Sequence, residues 1–222
     1  FRYIWEGQVA MAGGNPYLYP PAHTIWDGIG LVDIRSRVNH PTVSAVYPPL
    51  TIWIFGLLVK IAAVPVVFQA AMGLADVGVA WMLGRILRRR GRSIAPAWLY
   101  ALHPLGVVET AGSGHVEAMG VLCLLLAIDA WERRESGSGW ALAGAMVKFL
   151  PAALLPRLWR KRPWLLVLGG LVGVVTILPF ASAGGALLRG LETYAGHWRF
   201  NGLIHSVLEV AIGGHARWVL VG

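Results

Sequence analysis

The sequence predicts an all-α fold, a polytopic transmembrane helical bundle with interfacial helices in its outer loops. Three observations carry this. Hydrophobic residues make up 56% of the 222-residue chain and charged residues only 14%, against about 25% charged in an ordinary soluble domain. Apolar stretches recur at or near the ~20 residues needed to cross a hydrocarbon core. The basic residues cluster between those stretches: Arg85, Arg88, Arg89, Arg90 and Arg92 in one group, Arg157, Arg160, Lys161 and Arg162 in another. Short clusters of this kind mark cytoplasmic loops, so the net charge of +8 points to membrane topology and not to nucleic acid. Eleven tryptophans and six tyrosines suit the membrane–water interface.

In chain order, residues 1–45 are polar and rich in Gly, Pro, Asn and His, and read as a first outer loop. Its length exceeds the ~15 residues beyond which loops are functional or disordered, and its aromatic content argues against disorder. The membrane segments occupy 46–181. Tyr47-Pro48-Pro49 opens an apolar stretch to Ala63, with proline at a favoured first-turn position. A second stretch runs from 64 to 87 and a third from Ile94 to Val108, interrupted at His103-Pro104. "ETAGSGHVE" is a turn at 109–117. The fourth stretch is Ala118–Trp131, the fifth Trp140–Pro156 with Lys148 and Pro151 inside it, and the sixth Pro163–Ala181. Residues 182–213 form an outer amphipathic segment.

With the basic clusters inside, the third and fourth stretches form a hairpin whose turn lies outside. The fifth begins and ends inside, so it is a re-entrant segment broken near Lys148–Pro151. Irregular backbone at that depth requires burial or a wet cavity. Parity then requires one of the first two stretches to be partial, and 46–62 is the shorter candidate. Three polar segments thereby meet on one face: 1–45, 109–117 and 182–213.

Those segments hold the titratable groups. Glu6 stands beside Trp5, with Asp27 and Asp33 further along the same loop; each is either a base or an ordinary loop acid. In "GSGHVEAMG", Gly112 and Gly114 permit a tight turn that places His115 and Glu117 at the mouth of a span. Glu117 also suits a helix N-terminus for its dipole alone, whereas His115 and Glu109 have no such explanation. In "HWRFNGLIHSVLE", His197, Arg199 and Asn201 follow a stretch with helical spacing of Leu187, Leu188, Leu191, Tyr194 and Trp198. Arg199 could grip a phosphate through its fork of donors. Two charges lie deep, Asp76 and Lys148, and they would pair with one another or serve a function. Asp129 and Arg133 are four apart and read as a surface pair. Cys123 is the single cysteine and lies in an apolar run. No P-loop, no GxSxG elbow and no metal-ligand cluster occurs, so a metal is not expected. With no soluble nucleotide-binding domain, an activated donor would be lipid-borne.

These motifs, in order, are "RYIWEGQVAMAGGNPY", "VNHPTVSAVYPPL", "GSGHVEAMGVLCLLLA", "GAMVKFLPAALLP" and "HWRFNGLIHSVLE". Together they resemble the GT-C superfamily of integral-membrane glycosyltransferases, and in particular bacterial polyprenyl-phosphate-mannose-dependent mannosyltransferases. The resemblance implies a multi-pass protein of the bacterial inner membrane. It implies inverting transfer of a sugar, expected to be mannose, from a polyprenyl-phosphate donor to a hydroxyl of a glycan or lipid acceptor on the exoplasmic side. The lipid-linked donor is a substrate, and no cofactor is expected. In such proteins a catalytic Asp precedes the "RYxWxG" stretch, so the equivalent acid would lie before Phe1 and the chain would be one incomplete GT-C-like domain. Glu6, His115 and Glu117 are then the candidate catalytic groups within the chain. Arg2, Tyr3, Asn15, Tyr17, His40, Lys148, His197, Arg199 and Asn201 are the candidate substrate contacts. A transporter or lipid-linked-sugar flippase is the alternative, since Asp76, Lys148 and the Pro151 break suit a midplane site. A non-catalytic membrane subunit is a further one.

Overall fold

In the computed structural model of the protein, the described residues are 1–27, 32–133, 137–148, 150–156, 160 and 163–197. Every regular element among them is helical. The α-helices among the described residues are α1 Arg2–Met11, α2 Val32–Arg35, α3 Pro49–Ile61, α4 Pro65–Arg89, α5 Ala95–Ala101, α6 Pro104–Gly106, α7 Glu117–Glu132, α8 Ser138–Val147, α9 Pro163–Ile177 and α10 Ala186–His197.

Residues 1–45 open with a helix, α1. Ile4, Trp5, Val9 and Ala10 are buried on it, and its partner is the distant α3. A Cβ on Gly7 would lie 2.7 Å from the backbone of Phe55, and one on Gly56 would lie 2.5 Å from Met11. Two glycines therefore let the helices approach closely. The pairing is non-local, and a reading of local composition does not detect it.

Helix α4 buries a regular stripe of Phe68, Met72, Ala75, Val79, Met82 and Ile86, which is helical spacing for one packed face. Leu74, Val77 and Trp81 on the other face are exposed. Of the described helices, Pro65–Arg89 and Pro163–Ala183 are long and apolar enough to cross a membrane. A third crossing arises if Pro104–Gly112 and Glu117–Glu132, bent by 111°, form one broken span. Helix α3, with 13 residues, is shorter than a span, as expected for 46–62.

The third stretch is not a continuous span. Helix α5 ends at Ala101, and Pro104, which has no N–H, restarts the chain as a short turn leading into a π-helical turn at Val107–Gly112. Gly114 then adopts φ 73°, the left-handed conformation that favours glycine. Its backbone rests on the first turns of α4 at Phe68 and Gln69.

The fifth stretch breaks where expected. Helix α8 ends at Val147, Lys148 is extended at φ −148° and ψ 146°, and a 3₁₀ turn follows at Leu150–Leu154. The cause is Pro151. A continuing helix would satisfy the Val147 carbonyl with the N–H four residues on, which proline lacks. Instead the Thr51 hydroxyl of α3 donates to that carbonyl at 2.7 Å, fully buried. Thr51→Val keeps the shape and orphans the carbonyl. It is expected to lower stability by about 1–3 kcal/mol, read as a lower unfolding temperature in detergent. An unchanged temperature would refute this role.

Two expected ion pairs are corrected. Asp76 and Lys148 do not pair: the Tyr100 hydroxyl donates to Asp76 at 2.6 Å, and Lys148 turns to Glu117. Asp129 is not a surface acid. Its side chain is 2% exposed, and it takes Arg89 at 2.6 Å and Arg133 at 3.0 Å, with Arg85 at 3.5 Å. Arg85 and Arg89 are about 40 residues upstream on α4, so spacing within α7 showed only Arg133. Glu132 takes Arg89 and Arg90 beside it, which fastens α4 to α7 at their basic ends.

Candidate functional site

A cavity of about 460 Å³ opens where α1, the 37–47 segment, the 113–115 turn and α10 converge. Its wall includes Arg2, Tyr3, His40, Tyr47, His115 and Tyr194. It sits at the N-terminal end of α4, while the arginine cluster sits at the C-terminal end. These ends are about 30 Å apart, at about 1.5 Å per residue between Phe68 and Arg88.

The wall is built from the first residues of the chain inward. Tyr3 stacks on Phe55 with ring centroids 4.5 Å apart. Its hydroxyl meets that of Tyr47 at 2.9 Å. Burial pushes the phenols of Tyr3 and Tyr47 well above the ordinary range, so both remain neutral hydrogen-bonding groups. Arg2 is fully committed. Its Nε donates to Glu6 at 2.9 Å, and its two terminal nitrogens donate to the carbonyls of Asn39, His40, Val43 and Ser44. That uses all five guanidinium donors, so Arg2 shapes the wall and offers no N–H to a ligand in this arrangement. His40 is held there at φ 48°, a conformation that costs a non-glycine residue of order 1–3 kcal/mol. The Arg2 contacts to the carbonyls of residues 39 and 40 help maintain it.

Glu6 lies behind Arg2 and not on the cavity wall. It is 1% exposed, and its Oε2 has no partner among the described residues. Burial raises its pKa, and the charge and hydrogen bond of Arg2 offset this only in part. The folded state therefore holds the Glu6 proton more tightly than the unfolded chain does. Its stabilising contribution is complete below the unfolded carboxylate pKa and is lost as pH rises through the raised folded value. Melting in detergent is expected to show this decline as pH rises above the ordinary carboxylate range, and Glu6→Gln is expected to flatten it. Parallel curves for the two proteins would count against it.

His115 lines the cavity, and Glu117 and Lys148 stand next to it. His115 Nδ1 is 3.6 Å from Glu109 and 4.0 Å from Glu117, and its ring is 6.4 Å from that of Tyr3. Lys148 Nζ is 2.6 Å from Glu117 Oε1 and 4.9 Å from the centre of the Tyr47 ring. The break after α8 turns Lys148 toward this group. The turn at Gly114 does the same for His115.

Other expected contacts fall elsewhere. Asn15 caps its own turn at Tyr17 N and donates to Phe180 O and Ser182 Oγ. Tyr17 is 1% exposed and donates to Tyr47 O at 2.6 Å. Both brace the wall from behind. Asp27 is taken by Arg35. The side chains of Asp33 and His197 are outside the described part, as are residues Arg199 and Asn201. In the sequence Tyr47 stands out only as the start of an apolar stretch and Tyr194 only as part of a helical face. Proline-flanked Tyr47 was the available signal, since an aromatic fixed just before a helix start is rigidly placed. Among the described residues no group of three His, Cys, Asp or Glu side chains is arranged to hold a metal.

A family model described as the alpha-(1->6)-mannopyranosyltransferase N-terminal domain, of the MptA_B family, matches residues 1–159. The chain belongs to this family. The match takes in α1 to α8 and with them Arg2, Tyr3, Glu6, His115, Glu117 and Lys148. No curated protein and no solved structure gives a match. MptA_B membership agrees with the resemblance drawn from the sequence motifs, and the family's named activity is mannosyl transfer. A cavity whose wall combines aromatic rings with many polar side chains is a suitable shape for a sugar.

Proposed function

We propose that this chain carries the sugar-transfer site of a GT-C-type membrane mannosyltransferase. The site takes mannose from a polyprenyl-phosphate donor and passes it to an acceptor hydroxyl on the exoplasmic face. The observation that carries this reading is the Lys148–Glu117 pair standing beside His115 and Tyr47, both of which line the cavity. It lies at the end of α4 opposite the arginines, as a site across the membrane from cytoplasmic charge requires.

In this reading Lys148 receives the donor phosphate. Glu117, with His115 beside it, accepts the proton of the acceptor hydroxyl. The acceptor oxygen attacks the anomeric carbon as the carbon–oxygen bond to phosphate breaks, with inversion at that carbon. The electron pair leaves on the phosphate, where Lys148 offsets the charge. The Lys148–Glu117 pair is half-exposed, with side-chain exposures of 31% and 51%. A pair of this kind is worth about 0–1 kcal/mol, so an arriving phosphate can draw Lys148 away and release Glu117. A midplane transport site is less well supported, because Asp76 and Lys148 are not joined.

The test is transfer of radiolabelled mannose from polyprenyl-phosphate mannose by the full-length protein in detergent. Transfer that is lost in Lys148→Met supports the reading. Mannose carried across vesicles without transfer would replace it with transport.

A further inference from the structure

A second concavity of about 390 Å³ lies along the seam of α4 and α5, well away from the sugar cavity. Its floor is made of small residues, with Ala80 and Gly84 on α4 facing Ala97 and Ala101 on α5. A Cβ on Gly84 would meet that of Ala97 at 3.6 Å. Trp81 and Trp98 form the sides, and both are exposed. Two large rings beside a floor of small residues form a trough one hydrocarbon chain wide.

The two ends of the trough differ. At one end Asp76 accepts the Tyr100 hydroxyl. At the other, about 18 Å away along α4, stands Arg88. The arginines around Arg88 are engaged: Arg85 and Arg89 with Asp129, Arg89 and Arg90 with Glu132. Arg85 also lies over the Trp81 ring, 5.6 Å from its centre. Arg88 is exposed and makes no ion pair with any described residue. An apolar trough ending at an uncompensated guanidinium complements a lipid with one apolar chain and an anionic head. A zwitterionic lipid would bring its own cation to Arg88. A free phosphate would leave the trough unused.

We propose that the α4–α5 trough binds an anionic glycerophospholipid, with one acyl chain between Trp81 and Trp98 and its phosphate on Arg88. The site is separate from sugar transfer and does not depend on it. It would anchor the basic end of α4 in the leaflet where that lipid is present.

Native mass spectrometry of the full-length protein, released from detergent with equimolar phosphatidylglycerol and phosphatidylcholine, tests this. Phosphatidylglycerol is expected to be retained at least tenfold more than phosphatidylcholine. Arg88→Gln should bring it down to the phosphatidylcholine level. Ala101→Leu, which fills the trough and leaves the charge, should reduce both. Arg92→Gln, exposed and off the trough, should leave retention unchanged. Equal retention of the two lipids by the parent protein would overturn the proposal. So would equal losses in Arg88→Gln and Arg92→Gln, or full phosphatidylglycerol retention in Ala101→Leu, which would mean that surface charge alone holds the head group.

Discussion

Arg2→Ala is expected to cost about 3–5 kcal/mol of stability, the cost of removing one partner of a buried pair. Arg2 is a single side chain holding two parts of the structure together. One donor goes to Glu6 on its own helix, and four contacts go to carbonyls between residues 39 and 44. Removing it leaves those carbonyls without donors, at about 1 kcal/mol or more for each that water does not reach. Glu6, which is 1% exposed, would also lose its cation and take up a proton. For a chain of this size the loss corresponds to a fall of about 10 °C in unfolding temperature. Arg2→Lys keeps the charge but has three donors in place of five, so it should fall between the parent and Arg2→Ala. Arg2→Met with Glu6→Leu should recover part of the loss, since the paired charges are removed together; the remainder measures the loop carbonyls. Scanning fluorimetry in detergent reads all four proteins. An Arg2→Ala protein that melts with the parent would show that the loop is held by other contacts. Because the same loop forms the cavity wall at Asn39 and His40, Arg2→Ala should lower sugar transfer through folding alone. Activity loss at Arg2 is therefore not evidence of substrate contact.

The sequence revealed features governed by composition or by one local rule. Helix α4 and the apolar stretch from Pro163 follow from run length. The break at Lys148 follows from Pro151, and the turn before α7 follows from Gly114. Partners distant in sequence were not visible. Glu6 has the residue type and setting of a loop base, and only the fold shows it shut behind Arg2. Asp129 has an arginine four residues on, which suggested a helix-surface pair; the other two arginines come from α4. Asp76 and Lys148 shared an expected depth, yet each found a partner of another kind, Tyr100 and Glu117. A turn in the chain can be read from one residue. The partner of a charge depends on how distant helices cross, and no short motif encodes that.

Glu117 and Lys148 should show this dependence in activity. Glu117→Gln is expected to lower kcat for mannosyl transfer by about 10²–10⁴-fold, the usual loss when a general base is removed. Lys148→Met is expected to raise KM for the polyprenyl-phosphate donor and to lower kcat, because its charge acts on the donor and on the departing phosphate. The two act in one event, so the double variant should lose little more than the worse single variant. Stability separates this from a structural bond. The pair is half-exposed and worth about 0–1 kcal/mol, so neither variant should melt more than a few degrees below the parent. If Glu117→Gln transfers mannose at the parent rate, Glu117 only partners Lys148 and the proton goes elsewhere. If both variants lose activity only in proportion to lost folded protein, the 2.6 Å contact is a brace and this pair is not the site of chemistry. Loss of turnover without loss of fold, and without additivity, is the result that a phosphate-released carboxylate base requires.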